Sequence, residues 1–199
     1  MVKKILAVVA VLILGFVAFV ATRPAEFVIT RKATIAASPD VIFPLVNDFH
    51  SWKLWSPWDG LDPKMTTAFE GPPAGPGASY SWKGNDQVGE GKMTIVESKP
   101  NYMVSIKLEF LKPFEATNTT TLNLVPGPST EVIWKMEGKN NFMSKAAGVF
   151  MNMDALVGKD FDKGLAKLKA LAEEEAKKRA PAPEAAAMPV PADPPVATP

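Results

Sequence analysis

From Asp48 to Pro63 the chain reads Asp-Phe-His-Ser-Trp-Lys-Leu-Trp-Ser-Pro-Trp-Asp-Gly-Leu-Asp-Pro, and this stretch gathers the side chains best suited to a site. Trp52, Trp55 and Trp58 stand three residues apart. Positions i and i+3 share a helix face. Pro57 halts helix propagation, so Trp58 falls at the start of a loop. Three large rings at a helix-to-loop corner can wall a cavity for an apolar guest, or they can fill core. His50, two residues after Asp48, is the sole histidine. An imidazole beside a carboxylate is raw material for acid–base catalysis. On a short helix the commoner role of such a histidine is a solvated or capping one.

Asp154, Glu90 and Asp160 are further carboxylates that could enter a cavity, although surface solvation is their ordinary role. The chain has no cysteine, which excludes disulfides and thiolate chemistry. One histidine cannot build a multi-histidine metal site, so no metal and no cofactor is expected. No G-x-S-x-G, Cys/His pair, H-x-x-x-H or Walker-type loop occurs, and catalytic residues stay unassigned. The formal net charge is +1. With the cations of residues 1–24 and the acids of residues 180–199 set aside, residues 25–179 are neutral. Nucleic acid is therefore not an expected partner.

The elements that must hold these residues follow from periodicity and punctuation. Phe27 to Ala36 alternates as a first strand. Ser38 offers an N-cap and Pro39 a first helical position, for a short helix over Pro39–Val46. A second short helix starting near Asp48 is expected to carry Trp52 and Trp55. Beyond Pro63 the pattern turns to strands: Thr66–Glu70, a segment with Tyr80 and Trp82 on one face, Gly89–Ser98, Tyr102–Phe110, Phe114–Val125 and Glu131–Glu137. Short Pro, Gly and Asn turns between them imply an antiparallel meander. Phe161, Leu165, Leu168 and Ala172 then mark one apolar stripe of a long helix. Glu173–Lys177, Glu174–Lys178 and Glu175–Arg179 are expected i,i+4 pairs on it. Gly148, Gly158 and Gly164 predict a break between Met151 and Lys159, and a close approach of helix to sheet. Residues 180–199 read as a disordered Pro/Ala-rich tail.

Lys3 and Lys4 precede an uncharged run, Ile5 to Ala21, that closes at Arg23 and Pro24. As a helix it rises roughly 25 Å, near the short end of what spans a hydrocarbon core of about 30 Å. A cleaved signal peptide needs small residues at −3 and −1. Cuts after Ala21 or Ala18 would place Phe19 or Phe16 at −3. Residues 1–24 are therefore read as a single-pass transmembrane anchor in preference to a signal peptide. The lysine pair favours a cytoplasmic N-terminus and a domain on the periplasmic, extracytoplasmic side.

One strand, two short helices, about six further antiparallel strands and a long final helix resemble the START-like (SRPBCC) superfamily. This is the α+β helix-grip fold of polyketide cyclase/dehydratase-like proteins and lipid carriers. The residues that carry the resemblance are Ala37-Ser38-Pro39-Asp40-Val41-Ile42-Phe43, Asn47-Asp48-Phe49-His50-Ser51-Trp52 and Trp55-Ser56-Pro57-Trp58. Tyr80-Ser81-Trp82-Lys83-Gly84-Asn85, Gly89-Glu90-Gly91-Lys92-Met93 and Val157-Gly158-Lys159-Asp160-Phe161-Asp162-Lys163-Gly164-Leu165 complete it. The resemblance implies a curved sheet of six to seven strands gripping the last helix, with an apolar cavity between them. Trp52, Trp55, Trp58, Tyr80, Trp82, Met93, Phe110 and Trp134 are then its lining candidates, and Met143, Met151 and Met153 could form a pliable mouth. The first expectation is a membrane-anchored domain that binds an apolar small molecule or lipid. A cyclase/dehydratase-type enzyme and an envelope interaction module without ligand are the alternatives, and no protein partner is identified.

Overall fold

The computed structural model describes residues 1–179. The tail expected at residues 180–199 lies outside the described residues. Helix α1 (Val2–Ala21) leads into β1 (Glu26–Ile35), α2 (Pro39–Asn47) and α3 (Phe49–Trp52). Six strands follow: β2 (Thr66–Glu70), β3 (Ser79–Lys83), β4 (Glu90–Lys99), β5 (Met103–Lys112), β6 (Ala116–Val125) and β7 (Thr130–Lys139). Helices α4 (Phe142–Phe150) and α5 (Met153–Arg179) complete the order.

All seven strands form one antiparallel sheet in the order β1-β7-β6-β5-β4-β3-β2. Strands β2 to β7 are a meander, and β1 closes it by pairing Glu26 with Lys139 through Ile35 with Thr130. Register shifts in β4, at Glu90/Gly91 and Ile95/Glu97, bend the ribbon. The concave face carries Val104 and Ile106 of β5, Leu122 and Leu124 of β6 and Val132 and Trp134 of β7, all essentially inaccessible to solvent. Alternation of side chains along each strand puts Lys107, Thr119, Thr121 and Lys135 on the convex face. This is the helix-grip fold.

Helix α5 lies across the concave face on the stripe Phe161, Leu165, Leu168 and Ala172, all buried. Its approach is close because of two glycines. A Cβ on Gly164 would stand 2.8 Å from Trp134 Cζ3 and 3.0 Å from Pro57 Cδ, and one on Gly158 would collide with the Arg31 guanidinium. Gly148 meets nothing and has no such role. The helix break comes at Met151 and Asn152, where Met151 is extended and the Asn152 side chain accepts from Ala155 N at 3.0 Å.

Three local expectations are corrected. Helix α3 ends at Trp52, so Trp55 sits in the turn after it, its N–H bonded to the Trp52 carbonyl. Ser38 occupies the N-cap position of α2 without a side-chain bond. Of the three i,i+4 pairs, only Glu174–Lys178 forms, at 3.0 Å. Glu173 turns back to Lys169 and accepts from Ala36 N at 2.8 Å, and Arg179 reaches Asp40 at 3.7 Å. Tertiary partners outcompete exposed helix pairs worth only ~0.2–0.5 kcal/mol.

Candidate ligand-binding cavity

The grip is filled at one end and hollow at the other. Helix α2 plugs the end where β1 finishes, packing Val41, Ile42 and Val46 into the core. Toward the opposite end, the first turns of α5 and strands β3, β4 and β5 face one another across a gap. A cavity of about 570 Å³ remains there, lined from α3, the loop after it, strands β2 to β7 and the first turns of α5.

Seven of the eight residues expected on the wall are on it: Trp52, Trp58, Tyr80, Trp82, Met93, Phe110 and Trp134. Trp55 is not. It is fully buried behind Trp52, ring centroids 4.6 Å apart, and its indole N–H donates to the Leu45 carbonyl at 2.9 Å. The turn that ends α3 after one revolution rotates Trp55 away from the face of Trp52. Of the three methionines expected at a mouth, only Met153 reaches the lining.

The wall is apolar because its polar handles are used elsewhere. Trp52 Nε1 donates to the Val46 carbonyl at 3.0 Å, Trp82 Nε1 to the Val88 carbonyl at 2.9 Å, and Trp134 Nε1 to Thr120 Oγ1 at 3.0 Å. Thr120 in turn donates to the Lys135 carbonyl at 3.0 Å. Each indole is thereby locked, and its carbon face is left for the cavity. Tyr80 stacks on Trp82 at 6.0 Å, and partial burial, aided by Asp59, pushes its phenol pKa above the ordinary value.

The carboxylates considered for chemistry are engaged in ion pairs. Asp154 faces Arg31 at 3.2 Å, Glu90 faces Lys112 at 3.1 Å, and Asp160, on the lining, faces Lys163 at 2.9 Å. His50 is on the lining too. Its ring lies on Phe69 at 4.1 Å, and Nδ1 is 2.8 Å from Asp48 Oδ1. Asp48 also caps α3 by accepting from His50 N at 2.8 Å. The pair therefore fixes the helix start and holds the imidazole at the rim. Among the described residues no cluster of three metal-ligating side chains occurs.

Sequence reasoning missed Leu108, Met136, Phe161 and Phe69 as lining residues. The first three were legible as partners of named ones: Leu108 shares a strand face with Phe110, Met136 with Trp134, and Phe161 leads the helix stripe. Phe69 lies on strand β2, none of whose residues is buried and whose composition carries no sign of an inner face.

Residues 26–173 match the family described as polyketide cyclase / dehydrase and lipid transport. The chain belongs to this family. Among solved structures, the chain is similar to a protein of unknown function from Staphylococcus aureus (TM-score 0.57, 9% identity, covering 76% of this chain and 96% of that one). A protein from Chromobacterium violaceum is also similar (TM-score 0.54, 14% identity, 73% and 96% covered). So is the di-domain ARO/CYC protein BexL (TM-score 0.55, 15% identity, 79% of this chain and 53% of that one). At such identities the likeness concerns the fold. No curated protein matches the sequence significantly.

Proposed function

We propose that the chain is a membrane-tethered binding domain whose cavity takes an apolar small molecule or a lipid. Residues 1–24 are the single-pass anchor, residues 25–179 the binding domain on the extracytoplasmic side, and residues 180–199 a tail. The observation that carries the reading is the hollow of about 570 Å³, inside the roughly 300–1,000 Å³ range of small-molecule sites. Carbon faces of Trp52, Trp58, Trp82 and Trp134 line it, and an apolar guest gains about 25 cal/mol per Å² buried, before ordering costs. A ligand-free interaction module needs no hollow of this size, which argues against that alternative. The anchor rests on α1, whose most apolar window has a mean hydropathy of 2.8 and is 6% buried.

The test is organic extraction and mass spectrometry of residues 25–179 purified without detergent, with W58A alongside. An apolar compound retained near stoichiometry, and lost in W58A, is expected. A protein that retains nothing and also fails to bind cis-parinaric acid ends this reading. A reporter active only in the cytoplasm, fused at Pro199, should be silent.

A cyclase-type enzyme is the second reading. It is supported by His50, held by Asp48, and by the Tyr80 phenol, both on the same wall. It requires turnover of a bound polyketone that Y80F or H50Q abolishes while binding persists.

A further inference from the structure

Helix α4 has no core to pack on. Residues Phe142, Ala146 and Phe150, with Met143 and Ala147, form an apolar stripe at i, i+4 spacing, yet no residue of the helix is buried. Phe142, Met143 and Phe150 are 46%, 56% and 79% exposed. They belong to a larger pattern. The sheet edge from which α1 departs is also the edge of the β5–β6 turn and of the loop before β2. Leu61, Leu111, Phe114 and Met151 are exposed there as well. Toward the opposite edge the exposed large apolar side chains, Phe69, Val96, Tyr102 and Val125, are scattered and carry no exposed helix beside them.

We infer that this edge is a docking surface for a lipid bilayer, with α4 lying in the interface beside the anchor. The inference rests on the anchored reading of residues 1–24. Chain length argues for it first. Ala21 ends α1 and Glu26 begins β1, a reach of at most about 18 Å even when extended. That linker is also tied down. Asn140, just before α4, donates from its backbone to the Ala25 carbonyl at 2.8 Å and from Nδ2 to the Pro24 carbonyl at 3.3 Å. The start of α4 thus sits at the level where the anchor leaves the membrane.

The depth agrees. Phe150 stacks on Phe16 of α1 at 6.1 Å. Phe16 lies five residues before Ala21, about 7.5 Å down the helix axis. Interfacial helices seat their apolar face about 5–10 Å into the headgroup and acyl boundary. Phe150 falls inside that layer when α1 spans. The cavity shares this edge, since Met65, Val88, Phe110 and Met153 on its lining belong to it. Docking would therefore present the hollow to the lipid phase, and the occupant would exchange with the bilayer.

The chain has no cysteine, so single thiols can be introduced into the full-length protein and labelled with nitrobenzoxadiazole. F150C, F114C and M143C report the surface, Y102C the opposite edge, and L12C the anchor itself. The protein is reconstituted in vesicles of phosphatidylcholine and phosphatidylglycerol, with and without a lipid spin-labelled high on its acyl chain, and for the label at 12 one spin-labelled near the chain end, since Leu12 lies close to the bilayer midplane when α1 spans. Labels at 150, 143 and 114 should lose about half their emission to the spin label, as expected for groups a few ångströms below the headgroups, and the label at 102 none. A quenched label at 12 with unquenched labels at 150 and 114 overturns the docking surface and leaves the anchor standing. An unquenched label at 12 overturns both. All the labelled positions on the domain are solvent-exposed, so labelling leaves the fold intact.

Discussion

Trp134 of β7 lies flat against Phe161 of α5, ring centroids 4.1 Å apart and 6° from parallel. This stack joins the sheet to the gripped helix at the point where solid core gives way to cavity. Trp58 and Trp55 meet Trp134 edge-on at 6.0 and 5.4 Å, so one indole collects both the lining and the layer behind it. Gly164 makes the arrangement possible, since its missing side chain leaves room for the Trp134 ring.

That relationship separates two glycines on the same stretch of chain. Gly164→Ala gains helix propensity of about 1 kcal/mol but forces Trp134 or Pro57 to shift, an overpacking cost of about 1–3 kcal/mol. A net loss of up to about 2 kcal/mol is expected in urea unfolding. Gly148→Ala meets nothing within 4 Å and should be neutral or stabilising by up to about 1 kcal/mol. Equal effects from the two would refute the close-packing account.

The tryptophans divide by role. Trp55→Ala empties a fully buried site and leaves the Leu45 carbonyl without its donor. It should cost about 3–5 kcal/mol of stability. Trp58→Ala enlarges the existing hollow and should cost less stability while reducing retention of an apolar ligand. Denaturation curves and ligand extraction on both variants separate wall from core; a reversed order would place Trp55 on the wall.

Arg31 clamps the start of α5. It reaches Asp154 at 3.2 Å and Asp162 at 3.5 Å, and donates to the Asp154 carbonyl at 3.1 Å. The Asp154 bond leads the causes that hold the guanidinium pKa above its ordinary value. Asp154 is largely exposed, so Asp154→Asn should change global stability by no more than about 1 kcal/mol. Local opening is the sensitive readout. Amide exchange over residues 153–160 should quicken, and protection unchanged from the parent would show that the clamp holds nothing.

Glu173 gives a pH signature. The Lys169 ammonium, and then the Ala36 N–H, hold its carboxyl below the ordinary value of 4.5. A carboxylate with a folded pKa below its unfolded one contributes stability above the unfolded value and loses it as pH falls through the folded value. Acid unfolding of Glu173→Gln should therefore be less steep than that of the parent below about pH 4.5. Carbon-detected titration of the Glu173 carboxyl should place its midpoint under that of a free glutamate; a midpoint at or above it contradicts the assignment.

The order of elements was legible because it depends on local signals. Alternation marked β5 and β7, and the register pairing Ile106 with Thr120 and Leu122 with Trp134 kept the residues named from one strand face on one side of the sheet. The apolar stripe of α5 and the breaks at Pro and Gly were equally local. Alternation also fixed which residues share a face, Tyr80 with Trp82 or Trp134 with Met136, while which face lines the cavity was left to the tertiary structure.

What the chain order left open was decided by long-range packing. The i, i+3 spacing put Trp52 and Trp55 on one helix face, yet α3 closed after four residues, and the turn sent Trp55 behind its neighbour. Glu173 exchanged Lys177 for Lys169 and the Ala36 N–H because β1 ends beside it. The hollow itself is not a property of any segment. It exists because α2 fills one end of the grip while the broken start of α5 leaves the other uncovered, and void is set by how separate elements meet.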